Sequence, residues 1–262
     1  MQVLTRRHVI AGLAGLSAGV AAAPLAAQQV AADLTPHFAL SHGIIRVSRV
    51  QIGRPLLAMT FDDGPHPTLT PILLDMLAAR GIKATFYLIG SMVAAYPDVA
   101  RRIVAEGHDV GNHTWRHPFL TSLSDDAVLR EIDRTNDAIW QATRTIAPTM
   151  RPPYGAINAR LSRLIHDRFN LPTVMWSVDT QDWRRPGSSV VASRVVAGAA
   201  PGAIILAHDI HEATVRAMPA AFDGVTERGL IPVTMSELLG FQAFAPRQAS
   251  ITTAALAMPA LQ

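Results

Sequence analysis

The chain has 262 residues, 49% of them hydrophobic, so it can bury one large core without being divided into several domains. It contains no cysteine, which excludes disulfides, thiolate metal sites and cysteine nucleophiles. The formal charge is +3, but setting aside Arg6 and Arg7 from the 23 basic residues leaves 21 against 20 acidic residues. This near balance gives no electrostatic reason to expect a nucleic-acid partner.

Residues 1–27 have the anatomy of an export signal. A basic start with Arg6 and Arg7 is followed by an apolar stretch to Val20 and by small residues up to Ala27. The arginine pair resembles the twin-arginine type of signal. The apolar run is shorter than the roughly 20 residues that span a bilayer. We therefore expect export to the periplasm, the cell envelope or the medium, with no membrane span after cleavage. A Sec signal and a retained anchor are the alternatives.

The rest of the chain divides into three parts by pattern. Residues 28–53 predict an irregular lead-in with a strand at Ile44–Val50, and residues 245–262 predict a loose C-terminal tail. Residues 54–244 alternate short apolar runs with helical patterns, which predicts one α/β domain.

Within this domain the strands are predicted at Leu56–Phe61, Ala84–Ile89, Asp109–Gly111, Thr149–Arg151, Thr173–Val178, Ala203–Ala207 and Ile231–Val233. The helices are predicted at Thr68–Arg80, Ser91–Glu106, Ser124–Thr143, Asn158–Phe169, Ser188–Ala197 and Thr234–Leu239. About seven parallel strands joined by helices predict a TIM-like (β/α) barrel, distorted or incomplete. Trp140 and Trp176 are expected in the core.

Two adjacent carboxylates, Asp62 and Asp63, end the first long strand. Neighbouring negative charges at a buried strand end need a positive partner, and a metal ion is the usual one. Successive side chains of a strand point to opposite faces, so one carboxylate could bind the metal while the other faces the substrate. An ordinary acidic turn is the alternative, because Asp-Gly-Pro is also turn chemistry.

His113 and His117 follow the third strand, and a spacing of four residues places both imidazoles on one side of a helical turn. Without cysteine, any metal must be held by His, Asp or Glu. Two histidines and one strand-end aspartate leave coordination positions open, which is typical of a catalytic metal site.

Further polar residues follow the later strands, where the working residues of a βα barrel lie. Arg151 ends the fourth strand and Tyr154 follows it, Asp182 and Trp183 follow the fifth, and His208 directly follows the sixth. Each could be ordinary loop polarity alone, but their repetition at successive strand ends predicts one shared site.

Five motifs, in this order, resemble those of the NodB-type polysaccharide deacetylases, carbohydrate esterase family 4. They are TFDDGP at 60–65, HTWRH at 113–117, RPPYG at 151–155, DTQDW at 179–183 and LAH at 206–208. The resemblance runs from about Leu56 to Leu239. The resemblance implies a distorted barrel fold. It also implies an enzyme that removes N-acetyl groups from an N-acetylglucosamine polymer with a divalent metal, usually zinc.

The resemblance also implies a role for each matching residue. Metal binding is implied for Asp63, His113 and His117, base catalysis for Asp62, and acid catalysis for His208. The supporting roles are Arg151 orienting Asp62, Asp182 pairing with His208, the Tyr154 amide holding the oxyanion, and Trp183 and Leu206 lining the acetyl pocket.

Two other functions remain open from the residues. Two histidines and one aspartate also form the site of non-haem iron oxygenases, and a catalytically silent glycan-binding protein could use the same scaffold. The acid and base residues favour the deacetylase. Its polymer stays open: export favours peptidoglycan, and chitin oligomers, biofilm glucosamine polymers and acetylated xylan are alternatives. The metal stays open between zinc, cobalt and another divalent ion.

Overall fold

The computed structural model describes residues 45–241, so the predicted signal, most of the lead-in and the tail lie outside the described residues. Strands are β1 (Arg46–Val47), β2 (Leu56–Asp62), β3 (Thr85–Leu88), β4 (Asp109–Asn112), β5 (Thr173–Val174), β6 (Val178–Asp179), β7 (Ile204–His208) and β8 (Ile231–Val233). Helices are α1 (Leu69–Ala78), α2 (Gly90–Ala95), α3 (Pro97–Ala105), α4 (Asp125–Thr143), α5 (Ala159–Phe169), α6 (Ser188–Gly198), α7 (Glu212–Glu227) and α8 (Met235–Leu238). Among these helices, none has the length and apolar character needed to cross a bilayer.

All strand pairs are parallel. One sheet has the order β4-β3-β2-β7-β6, with β8 paired to the beginning of β2, and β1 pairs with β5. Between the sheets, Met150 makes one bridge to Asn112 and one to Thr173. The predicted α/β fold with parallel strands in a distorted or incomplete barrel is confirmed, and the ladders within residues 45–241 do not close.

Strand β2 lies at the centre of the fold, and all seven of its residues are buried. Its apolar side chains alternate between two clusters. Leu57, Met59 and Phe61 pack with the helices, whereas Leu56 and Ala58 pack in an inner cluster. A strand covered on both faces needs a continuous apolar run, and Leu56–Met59 supplies it. Polar side chains first appear in the carboxyl-terminal half of the strand, at Thr60 and Asp62.

The observed helices and strands differ from the predicted ones in several places. Ser91–Glu106 is two helices, because the chain leaves helical geometry at Tyr96 and Pro97, which has no N–H to donate, begins α3. Thr149–Arg151 is not a strand: only Met150 forms bridges. Helix α7 was not predicted; it contains Pro219.

Thr173–Val178 is two short strands rather than one. The carbonyl groups of Val174 and Met175 accept hydrogen bonds from the side chain of Arg151, and Ser177 then pairs with Ile204 of β7. The segment thus changes partners midway. Trp140 was wrongly expected in the core, since 47% of it is exposed, whereas Trp176 packs against the inner cluster as expected.

Candidate active site

The carboxyl ends of the parallel strands meet at one edge of the sheet, and the predicted site residues lie there. The register of β2 and β7 sets Asp62 directly opposite His208. On the other side of β2, Asp62 is opposite Tyr87 of β3. His113 directly follows β4, the next strand along.

Asp62 and Asp63 have different partners, although they are neighbours in the chain. Asp62 is buried at the end of β2, and its Oδ1 accepts a hydrogen bond of 2.7 Å from Nη1 of Arg151. Asp63 has a left-handed backbone conformation with φ of 73°. Its Oδ1 lies 3.3 Å from Nε2 of His113 and 3.2 Å from Nε2 of His117. The backbone turn at Asp63 therefore separates the two carboxylates.

Arg151 is fully buried, and four acceptors surround its guanidinium group. Besides Asp62, these are Thr60 Oγ1 at 2.7 Å and the carbonyl oxygens of Val174 and Met175, each at 3.2 Å. The ring of Tyr87 lies under the guanidinium at 4.2 Å. A buried cation must be paired and hydrogen-bonded to be tolerated, and these contacts fix both its position and that of Asp62.

Asp63, His113 and His117 offer three ligand atoms that lie within 4.8 Å of one another. Nδ1 of His113 lies 2.7 Å from the carbonyl oxygen of Arg151 and donates to it, which leaves the lone pair of Nε2 facing Asp63. Within residues 45–241, the buried Oδ1 of Asp63 has no hydrogen-bond donor. Two imidazole nitrogens and one uncompensated carboxylate oxygen fit a divalent cation such as zinc.

The same contacts shift the pKa values of these residues. Burial alone would raise the pKa of Asp63, but the neighbouring histidines, His113 above all, hold it well below its ordinary range. Burial opposes the charged form of His113, whereas Asp62 and Asp63 raise its pKa above the ordinary value. Burial and the neighbouring His113 lower the pKa of His117. Asp63 is thus ionised at neutral pH, as a metal ligand must be.

The loop from His113 to His117 is not the helical turn predicted from the sequence. Thr114 and His117 have left-handed φ angles of 67° and 60°, and these bends bring the two imidazole rings to 4.9 Å. The amides of Trp115 and Arg116 each donate to Oε2 of Glu131 at 2.9 Å. The loop is therefore shaped by a carboxylate of helix α4 rather than by helical hydrogen bonds of its own.

Glu131 was missed by the sequence analysis, although a signal was present. It lies on α4 among Val128, Ile132 and Thr135, the buried face of that helix. A carboxylate at helical spacing among core residues needs a buried partner. Its partners are the backbone amides of the loop that carries the two histidines.

Asp182 and His208 form a close pair at the end of β7. Oδ1 of Asp182 lies 2.8 Å from Nδ1 of His208, and its Oδ2 accepts from the His208 amide and from the Thr214 hydroxyl. Burial opposes protonation of His208, but the hydrogen bond and charge of Asp182 dominate and raise its pKa to about 9. His208 is thus a cation at neutral pH.

The remaining predicted residues lie around this centre. Tyr154 has φ of 59° in a short 3-10 turn, and its ring packs edge-on against His117 at 4.5 Å. Trp183 follows Asp182 and is 49% exposed. Leu206 is buried on β7, two residues before His208. Their roles stay predictions.

Behind the turn that follows Asp63 lies Asp209, which the sequence analysis did not single out. Asp209 is buried and accepts a hydrogen bond from the hydroxyl of Thr70. Burial raises its pKa to about 7. A side chain added at Gly64 would lie 2.6 Å from both carboxylate oxygens of Asp209, so the close approach requires glycine there.

Left-handed backbone is concentrated around the site. In the described residues, eight non-glycine residues have a positive φ, and two of them, Arg144 and Asn170, simply end helices. The other six lie in the loops just described: Asp63, Thr114, His117, Tyr154, Gln181 and Arg185. Such residues cost on the order of 1–3 kcal/mol each and cluster at functional sites.

Comparison with known proteins identifies the family to which this chain belongs. Residues 50–169 match the family described as polysaccharide deacetylase. The chain is 41% identical over 184 residues to the peptidoglycan-N-acetylglucosamine deacetylase PgdA of Listeria monocytogenes, covering 70% of this chain and 39% of that protein. It is 47% identical over 152 residues to a chitooligosaccharide deacetylase of Rhizobium leguminosarum bv. trifolii, covering 58% of this chain and 70% of that protein.

A solved structure, that of a CE4 family pseudoenzyme from Bacillus anthracis, is similar with a TM-score of 0.71 and 30% identity. The likeness covers 75% of this chain and 69% of that one. The chain thus spans less than half the length of the Listeria protein but most of the rhizobial one. Because sequence, fold and motifs agree, this chain belongs to the polysaccharide deacetylase family.

Proposed function

We propose that this chain is a metal-dependent hydrolase that removes N-acetyl groups from polysaccharide containing N-acetylglucosamine. One observation carries the proposal: two adjacent carboxylates, Asp62 and Asp63, have separate partners. Asp62 is hydrogen-bonded to Arg151, whereas Asp63 faces His113 and His117. A site of this kind has one carboxylate for a metal and one for proton transfer.

The metal would be held by Asp63, His113 and His117, and we propose zinc. When bound, a divalent ion of this kind polarises an amide carbonyl and lowers the pKa of a water molecule toward neutrality. The amide of Tyr154, held in its left-handed turn, is proposed to donate to the oxygen of that carbonyl. Trp183 and Leu206 are proposed to surround the acetyl methyl group.

Proton transfer in the proposed reaction uses the two residues that face each other across β2 and β7. Asp62 accepts the proton of the attacking water, because Arg151 keeps it in place. His208 donates a proton to the departing amine from Nε2, since its Nδ1 is engaged by Asp182. The C–N bond breaks, water supplies the new C–O bond, and the products are acetate and a free amine.

The same donor set would suit a non-haem iron oxygenase, but the buried Arg151–Asp62 contact and the Asp182–His208 pair favour hydrolysis. Membership of the family does not by itself establish activity, since a relative of known structure is described as a pseudoenzyme. What argues against a silent binding protein is that the complete acid, base and ligand set is present in this chain.

Peptidoglycan is the proposed substrate, with chitin-like oligomers as the second candidate. The relatives at 41% and 47% identity are named for these two substrates. Export by the twin-arginine route, proposed from residues 1–27, would bring the enzyme to peptidoglycan in the cell envelope.

The proposal is tested by measuring acetate release from peptidoglycan and from N-acetylglucosamine oligomers by the protein without residues 1–27. We expect acetate release that a chelator abolishes and added zinc restores. The release should be the same with and without oxygen, unlike the reaction of an oxygenase. The Asp62→Asn variant serves as the control. Absence of acetate from either glycan with the folded, zinc-loaded protein would refute the deacetylase.

A further inference from the structure

Three aromatic rings run outward from the candidate metal ligands. The ring of Tyr154 packs edge-on against His117, with centroids 4.5 Å apart. The ring of Phe119 stacks on Tyr154 at 3.9 Å, with only 16° between the two planes. Phe119 therefore lies two ring-to-ring contacts from a predicted metal ligand.

This stacked pair is exposed, which is unusual for aromatic side chains. Phe119 is 52% exposed and Tyr154 is 58% exposed. Leu120, the next residue, is buried in a core cluster, whereas Phe119 belongs to no core cluster in the part of the chain that the structure describes. The fold therefore does not need a phenyl ring at position 119, which leaves its exposed face available to a ligand of the adjacent site.

The pair is also held in place. The hydroxyl of Ser122 donates to the carbonyl oxygen of Phe119 at 2.7 Å, and the Ser122 amide donates to the same oxygen. Tyr154 has the left-handed conformation described above. An exposed apolar pair whose backbone is already fixed loses little freedom when a ligand covers it.

We propose that Phe119, stacked on Tyr154, binds the apolar face of a sugar residue next to the residue that is deacetylated. The proposal rests on the proposed function and names Phe119 as a contact that favours polymers over short oligomers. A pyranose ring carries C–H groups on its faces, and these suit a flat, uncharged aromatic surface. A nucleic acid would in addition call for cations along its phosphates, which neither ring supplies.

The first test compares kcat/KM on the pentamer and the dimer of N-acetylglucosamine. We expect Phe119→Ala to lower kcat/KM on the pentamer by about three- to tenfold, the size of one stacking contact. The loss on the dimer should be smaller, because a dimer can also bind with its second residue on the opposite side. Phe119→Trp should retain the preference for the pentamer. Ile146→Ala, which removes another exposed apolar side chain, is the matched control.

An equal loss on both oligomers would overturn the proposal, because it would mean that Phe119 only supports Tyr154. Unchanged values on both oligomers would also overturn it.

A second test separates this proposal from the proposed function. The pentamer is titrated calorimetrically into zinc-loaded Asp62→Asn protein, with and without the added Phe119→Ala change. We expect the added change to weaken binding by about three- to tenfold. If binding depends on Phe119 but the parent protein releases no acetate, the sugar contact stands and the deacetylase fails. If acetate is released while pentamer binding is unaffected, the deacetylase stands and the sugar contact fails.

Discussion

Nη1 of Arg151 lies 2.7 Å from Oδ1 of Asp62, and both side chains are buried. The other oxygen of Asp62 lies 3.7 Å from Nε2 of His113, too far for a hydrogen bond. Arg151 thus engages one side of the carboxylate and leaves the other facing the ligand histidine. The relationship explains how two adjacent aspartates can take different roles.

Replacing Arg151 should reduce both stability and activity. Arg151→Met leaves the Asp62 carboxylate buried without its cation, which we expect to cost about 3–5 kcal/mol in the free energy of unfolding. Arg151→Lys keeps the charge but cannot match four acceptors, so a smaller loss of stability is expected together with a large loss of turnover. Urea unfolding and acetate release measure the two effects. The exposed pair of Arg160 with Asp125 supplies the control, Arg160→Met, which should change stability by no more than about 1 kcal/mol.

Asp62 and Asp63 should respond differently to the same substitution. Asp63→Asn is expected to lose zinc, because the amide removes the charge that faces two imidazoles. Asp62→Asn is expected to retain zinc and to lose turnover by roughly 10²–10⁴-fold, the usual contribution of a general base. Zinc content after dialysis and acetate release test this. Equal loss of zinc in both variants would contradict the division of roles.

The pH dependence of activity should report the Asp182–His208 pair. A general acid must be protonated, and His208 has a pKa raised to about 9, so activity should persist below this pH and fall as pH rises through it. Asp182→Asn removes the charge that opposes the effect of burial, so the falling limb should move to lower pH. The measurement is kcat/KM against pH for both zinc-loaded proteins. An unmoved limb would show that another group titrates.

Glu131 should influence metal binding without touching the metal. Glu131→Leu removes the acceptor of the Trp115 and Arg116 amides, so the loop that carries the histidines should lose its shape. We expect the zinc dissociation constant to rise by about 10–100-fold, the usual effect of an outer-shell partner. Competition with a chelator measures it. Asp133→Leu, on the exposed face of the same helix, should leave zinc binding unchanged.

Much of this arrangement could be predicted from the sequence, because strand-end residues of a parallel sheet must meet at one edge. Asp63, His113 and His117 come together as the motif order predicted, and Asp182 pairs with His208. The order of the strands could not be predicted, because apolar runs do not specify their neighbours.

The details that the sequence did not predict depend on tertiary contacts. The extended run at Thr173–Val178 is interrupted because the carbonyl groups of Val174 and Met175 pair with the buried Arg151. The bend at Thr114 occurs at a β-branched residue, which intrinsically disfavours a positive φ. Phe119 was missed because its significance depends on a stack with Tyr154, a residue 35 positions away.

The single-residue bridges at Met150 have a consequence for thermal inactivation. Between β4 and β5 the backbone is connected only through residues 149–151 in the described part of the chain. The side chain of Arg151 adds hydrogen bonds to the carbonyl groups of Val174 and Met175. Arg151, which stabilises this connection, is also the residue that positions Asp62. Local opening at Met150 would release Arg151 and, with it, the proposed base, while the rest of the domain can stay folded. We therefore expect heat to inactivate the enzyme at a temperature where most of its secondary structure is still intact.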